Sequence, residues 1–506
     1  MDVIPSYVKK VMNILIEAGF EAVIVGGAVR DILLGLVPYD YDLATNAKPE
    51  IVVELIKEKG LKVVPKLGEN YGVILALSEG KPIEIATFRG EIYGDDAHKP
   101  EKVWYCDELK DDLARRDFTI NAMAMDINEN VIDYYNGKKD LENKIIRTVG
   151  DANKRFCEDA LRMYRACRFV SQLGFTVEDE LKEAIGNNLE RANGLSLDRV
   201  KTEINKLLLG KSPDLGMLLF IRTGLTNANC VYSKNEEKVI IPVLPELERL
   251  DGVEQNMLYH RFDVLGHILF ALKRSKPKLE VRWAVLLHDI AKGLPSIRAF
   301  KEDGSPSDHK HEILGAKMAK DILTRLNYSN NFISTVSWLV ENHMKFGMLR
   351  DKKKVNHERW LRKEAREGQF RTNEEMVEGF KLLGDVCIAD IAATRAGEEN
   401  VQKTQVYSKY IVEMAKLMPV HTKELNVNGK DVLNILEDKD DMKTIMHLLL
   451  ERVQNENLLN EENVLIDAVY KWQDRKKAER QAAKKKLKLQ ERINKKKAKD
   501  AIKKMS

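Results

Sequence analysis

Residues 22–42 hold an arrangement that few folds can accommodate. An apolar run, Ala22 to Val25, ends in Gly26-Gly27, and Ala28-Val29-Arg30-Asp31 continues as a helical segment with an arginine on its first turn. At a short fixed distance comes Asp40-Tyr41-Asp42. In a strand, alternate side chains share a face, so Asp40 and Asp42 point the same way. Two such carboxylates can hold a divalent cation, and glycines let backbone N–H groups approach a phosphate at a helix N-terminus. Either half alone reads as a glycine-rich turn or a solvated acidic loop. Both together, at this spacing, point to nucleotidyl or phosphoryl transfer, in which shared aspartates serve a two-metal mechanism.

Two further motifs follow. One is Asp112-Leu113-Ala114-Arg115-Arg116-Asp117-Phe118-Thr119-Ile120-Asn121-Ala122. The other is Phe156-Cys157-Glu158-Asp159-Ala160-Leu161-Arg162-Met163-Tyr164-Arg165-Ala166-Cys167-Arg168-Phe169. With the first pair, and in this order from about residue 20 to 215, they closely resemble the class II tRNA nucleotidyltransferases, a family of CCA-adding enzymes, CC- or A-adding relatives and bacterial poly(A) polymerases. Two departures stand out. The usual basic residue after Leu-Leu-Gly is Leu36, and the usual Asp-Gly-Arg loop reads Asp95-Asp96-Ala97-His98, which bears on the loop that in this family controls the switch from C to A addition.

The resemblance implies an α+β multidomain protein: a polymerase-β-like nucleotidyltransferase head with a mixed sheet, then a mostly α-helical neck, an HD domain and C-terminal helices. It implies CCA addition to tRNA from CTP and ATP with Mg2+, with poly(A) or partial CC- or A-addition as alternatives. Asp40 and Asp42 are the expected catalytic metal ligands. Glu84, facing away from Ile83 and Ile85, is either a third carboxylate or a satisfied strand glutamate. Gly26, Gly27 and Arg30 are expected to hold the triphosphate, the guanidinium matching phosphate oxygens in a fork. Arg115 and Arg116 are expected at the ribose and phosphates, with their motif bracing the head–neck junction. Spacings of three and four place Asp159, Arg162, Arg165 and then Arg168, beside Glu158, along one helical face. An Asp–Arg pair there offers an acceptor and a fork of donors for a base edge; on another helix the same pattern would read as exposed ion pairs.

His267, His288-Asp289, His311, His343 and Asp390 form a separate set within helical segments. A lone helical histidine is more often a core or surface residue, but six candidate ligands on successive helices resemble an HD-type phosphohydrolase domain over about 255–400. Imidazole with carboxylate suits Mn, Ni, Fe or Zn, whereas Mg prefers oxygen alone. Such a domain can hydrolyse nucleotides or RNA ends, or serve as scaffold only.

At 506 residues the chain implies roughly three or four domains. The motifs and periodicity place a head at 1–150, a neck at 151–225, a helical body at 226–415, a C-terminal tRNA-binding region at 416–475 and a basic tail at 476–506. A polar stretch near 226–237 reads as a linker, and from 151 the pattern is helical nearly without strands. Residues 1–20 read as an amphipathic helix with Val8, Val11, Met12, Leu15 and Ile16 as its stripe. The five cysteines include no Cys-x-x-Cys pair, which fits free thiols in a reducing cytoplasm. No stretch has the ~18–20 apolar residues needed to span a membrane. The formal charge of +4 conceals an asymmetry: residues 471–506 hold 16 Lys and Arg against four Asp and Glu, leaving the rest of the chain negative. This tail reads as a helix in part, disordered at its end, serving either solubility or attraction to RNA phosphates.

Overall fold

The computed structural model describes residues 3–64, 72–93, 100–234, 237–395, 397–456 and 458–505. The head is built on a seven-stranded mixed sheet in the order Lys62–Val64, Val73–Ser78, Lys81–Thr87, Asp42–Thr45, Ala22–Val25, Met123–Met125, Val131–Asp133. Asp42–Thr45 and Lys81–Thr87 run parallel, while the other neighbours are antiparallel. Ala22–Val25 is buried along its whole length, which is why it reads as a continuous apolar run rather than an alternating one. On one face Leu109 and Leu113 pack with Val23, Val25, Ala44, Phe88 and Ala124. Each buried Val, Leu or Phe among them contributes about 1.5–3 kcal/mol. The N-terminal helix, Ser6–Glu17, buries Val8, Val11, Met12, Ile14 and Leu15. Ile16, expected in its stripe, is instead exposed.

The neck helices include Ala152–Glu158, Leu161–Leu173, Leu197–Leu208 and Pro213–Arg222. The last three pack at backbone distance. A Cβ on Gly216 would stand 2.6 Å from Ser171 Cβ and 2.7 Å from the Cys167 carbonyl oxygen. The expected linker at 226–237 is a strand instead. Asn229–Lys234 pairs antiparallel with Glu237–Pro242 and parallel with Leu195–Ser196. Only Cys230 is buried in this strand, between half-buried Asn229 and Val231, so its sequence shows no alternating apolar face. Asn235 and Glu236 lie outside the described residues. A second hairpin, Arg298–Phe300 with Pro306–Asp308, also interrupts the helical stretch.

The chain divides into two compact units, residues 1–340 with 392–397, and residues 341–391 with 398–506. In the second, Leu425, Val432, Ile445, Leu449, Leu465 and Val469 form a core. Its last helix, Glu462–Met505, runs unbroken through the boundary near 475 into the basic tail, which was expected to be helical only in part. Lys476 pairs with Asp441, Lys477 with Glu437 at 2.9 Å and Arg480 with Asp438 at 3.1 Å. These pairs dock the beginning of the basic segment on an acidic turn. No helix among the described residues is long and apolar enough to cross a membrane, and all five cysteines are free.

Candidate active site

Asp42 opens its strand. It lies opposite Val25 on one side and Glu84 on the other. Residues directly opposite in a sheet share a face, so Glu84 stands beside Asp42, one strand over. Ile83 and Ile85 are buried while Glu84 is half-buried, consistent with its facing away from them. Asp40 is exposed, Asp42 half-buried, and Tyr41 between them turns inward. The two aspartates therefore share the open side. Asp95-Asp96-Ala97-His98 lies outside the described residues.

Val25, opposite Asp42, leads directly into Gly26, which caps the helix Gly27–Leu33 with φ +74°. That left-handed conformation favours glycine. Space is the second reason: a Cβ on Gly26 would lie 3.2 Å from Arg116 Nη1, and one on Gly27 would lie 3.4 Å from Arg30 Nη2. Two guanidiniums thus crowd a bare backbone turn at a helix N-terminus, one strand from the carboxylates. Such a turn suits an anion, and the neighbouring carboxylates suit a cation.

Both arginines are held in place. Asp112, 1% exposed, accepts from Arg115 Nη2 at 2.7 Å and from Arg116 Nη2 at 3.1 Å. Arg115 Nη1 also donates to Glu91 at 3.1 Å. Burial raises the Asp112 pKa, but its two arginine neighbours outweigh that and leave it below the usual carboxylate range. Arg30 donates to Asp31 at 2.9 Å and to Asn121 Oδ1 at 2.8 Å. Asn121 in turn donates to Asp117 Oδ1 at 3.4 Å, and Asp117 Oδ2 accepts from Arg165 at 2.6 Å. Phe118 meets Phe169 edge-on at 5.6 Å, and Arg30 lies over the Phe169 ring at 5.4 Å. A continuous polar and aromatic chain therefore joins this turn to the neck. Burial would raise the Asp117 pKa, but Arg165 outweighs it and holds the group below its ordinary value.

The neck residues depart from the single helical face expected of them. The helix stops at Glu158 and restarts at Leu161, with Asp159 extended between (φ −143°, ψ 105°). Asp159 Oδ1 accepts from the Leu161 amide at 3.0 Å and Oδ2 from Arg199 at 3.1 Å. An acidic side chain bonding an amide at a helix start breaks the helical run that spacing alone suggested. Arg162 donates to Glu158 at 2.8 Å and to the Arg115 carbonyl at 2.9 Å, tying neck to head. Arg165 is committed to Asp117, and Arg168 to Glu203 at 2.9 Å. Burial and the neighbouring Arg165 cation pull the Arg168 pKa down to about 10.

In the first unit the structure gathers His267, His288, Asp289 and His311, all buried. His267 Nε2 and His288 Nε2 are 3.2 Å apart. Asp289 Oδ2 lies 3.3 Å from His288 Nε2, and its Oδ1 lies 3.2 Å from His311 Nε2. His288 Nδ1 meets the Val285 carbonyl at 2.7 Å, and His311 Nδ1 meets the Asp308 carbonyl at 2.9 Å. Backbone carbonyls thus occupy the Nδ1 atoms of His288 and His311 and leave both Nε2 atoms facing Asp289, as around metal centres. The ligand atoms of His267, His288 and Asp289 lie within 4.8 Å of one another, and a set rich in imidazole fits a transition ion. Lys292 Nζ, 2.8 Å from Asp289 Oδ2, adds a competing cation. His343 and Asp390 belong to the second unit, where with Phe346, Cys387 and Thr404 they line a cavity of about 300 Å³.

Residues 22–147 match the poly A polymerase head domain, and residues 174–228 match the probable RNA and SrmB-binding site of polymerase A. Residues 258–390 match the HD domain. The three matches follow one another along the chain in the order head, RNA-binding site and HD domain. The head match implies a divalent metal. The chain is 39% identical over 278 residues to the CCA-adding enzyme of Bacillus pumilus, covering 55% of this chain and 62% of that protein. It is 44% identical over 215 residues to the CCA-adding enzyme of Bacillus subtilis, covering 42% of this chain and 53% of that protein. The chain thus spans less than two thirds of the length of these curated relatives. The Bacillus stearothermophilus CCA-adding enzyme solved in complex with CTP superposes with a TM-score of 0.61 at 25% identity, over 94% of this chain and 100% of that one.

Four residues that support the candidate site carry no role in the sequence motifs. Asp112 could have been found, because it precedes Arg115 and Arg116 by three and four positions, the spacing of helical neighbours. Glu91, Arg199 and Glu203 reach their partners across tertiary contacts with no local signal.

Proposed function

We propose that this chain is a template-independent CCA-adding tRNA nucleotidyltransferase, adding C, C and A to the tRNA 3′ end from CTP and ATP. The register that sets Asp42 beside Glu84, with Gly26 directly after the facing Val25, carries the reading. Asp40 and Asp42, with Glu84, form an oxygen-only set suited to Mg2+. The ion, when bound, lowers the pKa of the attacking 3′-hydroxyl and neutralises the departing pyrophosphate. The Gly26-Gly27 backbone with Arg30 and Arg116 would hold the β- and γ-phosphates, so that the α-phosphorus faces the carboxylates. Asp112 and Glu91 keep Arg115 and Arg116 oriented. The oxygen of the tRNA 3′-hydroxyl bonds the α-phosphorus, the bond to the bridging oxygen breaks, and pyrophosphate leaves. The test is incorporation on tRNA lacking its terminal CCA, with single and mixed nucleotides. Addition of C, C, A in order supports the reading; long A tracts or a stop after part of CCA would assign a poly(A) or partial-adding enzyme.

Base selection would rest on Asp159 and Arg162, whose hydrogen-bonding edges stand at the head–neck junction. Each bidentate base contact is worth roughly 1–3 kcal/mol of discrimination. Asp159→Ala and Arg162→Ala should therefore relax preference among CTP, ATP, UTP and GTP in competition assays. A uniform loss of rate with unchanged preference would reduce both to bracing the junction.

His267, His288, Asp289 and His311 would hold a transition ion such as Mn, Ni, Fe or Zn, supporting phosphohydrolase chemistry on nucleotides or RNA ends. His288→Ala with Asp289→Ala should remove bound metal and phosphatase activity while CCA addition survives. Metal analysis finding no transition ion after supplementation with Mn or Ni would instead favour a scaffold. The free thiols fit a cytoplasmic location.

A further inference from the structure

The loop from the helix Gly27–Leu33 to Asp42 carries large apolar side chains into solvent next to the transfer carboxylates. Leu36 is 56% exposed, Val37 92% and Tyr39 101%, and Tyr39 directly precedes Asp40. Pro38 between them is buried. Its fixed φ and inward ring pin the loop, so the outward residues are presented on a short, anchored segment. Singly exposed apolar residues are ordinary on a protein surface, but a contiguous run beside a reactive centre marks a contact site. Leu36 also occupies the position where the family usually carries a basic residue.

Resting on the transferase reading, the occupant follows from the chemistry. The RNA 3′-hydroxyl must come within metal-bridging distance of Asp40, and adjacent Cα atoms are about 3.8 Å apart. The base of the terminal nucleotide is the flat group within reach of the fully exposed Tyr39 ring. The incoming triphosphate belongs at the opposite, N-terminal end of the Gly27–Leu33 helix, over Gly26, which leaves the loop at the helix C-terminus to the primer. We infer that Tyr39 is a primer-binding residue, its ring stacking on the 3′-terminal base of the RNA, with Leu36 and Val37 extending the apolar platform. Stacking accepts any base, which suits a primer end that changes identity at each addition.

Steady-state kinetics of the full chain on tRNA lacking CCA test this. Tyr39→Ala should raise KM for tRNA about tenfold, the scale of one lost base–aromatic contact, with little change in kcat or in KM for CTP. Tyr39→Phe and Tyr39→Trp keep a ring and should restore the wild-type KM. The slope of log affinity against log salt should stay the same in Tyr39→Ala, since no phosphate contact is lost. A wild-type KM for tRNA in Tyr39→Ala would overturn the assignment. So would a defect shared by Tyr39→Phe, a shift confined to CTP, a changed salt slope, or a defect that tracks self-association. If the wild-type chain itself adds no nucleotide to tRNA, the transferase reading fails instead, and the two outcomes are distinct.

Discussion

Asp40→Ala or Asp42→Ala should lower nucleotide incorporation by at least about 10³-fold, the several kcal/mol that a positioned metal supplies to a phosphoryl-transfer transition state. tRNA affinity should change little, because contacts to the phosphate backbone supply most of it. Single-turnover incorporation with saturating tRNA and CTP in Mg, paired with a filter-binding isotherm, separates the two quantities. A variant turning over near the wild-type rate would sink the assignment of the pair. Glu84→Gln belongs in the same experiment. As a third metal carboxylate it should lose activity on the scale of the aspartate variants, whereas as a satisfied strand residue it should stay near wild type.

The second large effect concerns stability. Asp117 is 7% exposed and joins Arg165 on the neck to Asn121 and the Phe118 amide on the head. Removing one partner of a buried pair leaves the other charge uncompensated. Asp117→Ala should cost about 3 kcal/mol at neutral pH, the low end of the range, since Arg165 keeps part of its side chain in water. The pH dependence has a definite sign. The Asp117 pKa is depressed in the folded protein, so its contribution is complete above the unfolded aspartate value near 4 and is lost as pH falls through the lower folded value. The gap in melting temperature between wild type and Asp117→Asn should therefore be widest at pH 7 and close toward pH 3. A gap that does not vary with pH would show that the side chain acts through shape and neutral hydrogen bonds alone.

The head was legible because its signals are local. Strand Ala22–Val25 coincides with the apolar run of the sequence, since apolar runs bounded by turn residues carry their own period. Glu84 could be singled out by alternation, yet its place beside Asp42 depends on strand order, which no local pattern encodes. Asp159 shows the opposite failure: spacing of three and four residues looked helical, but the carboxylate found a nearby amide and ended the helix. Residues 229–234 read as a linker because Cys230 is the strand's one buried apolar side chain among its polar neighbours. Arg199 and Glu203 lie 40 and 35 residues from Asp159 and Arg168 in sequence, and only folding makes them partners.

The unbroken Glu462–Met505 helix determines how its charge is delivered. Beyond Arg480, the last residue docked on the acidic turn, 25 residues of helix reach about 38 Å at 1.5 Å per residue. A flexible coil of that length would have a root-mean-square span of only about 25–30 Å and would spread its cations through a sphere. The helix instead carries Lys484, Lys485, Lys486, Lys488, Arg492 and Lys495 at set distances from a fixed foot, so the tail behaves as a graduated rod whose reach is written in its residue count.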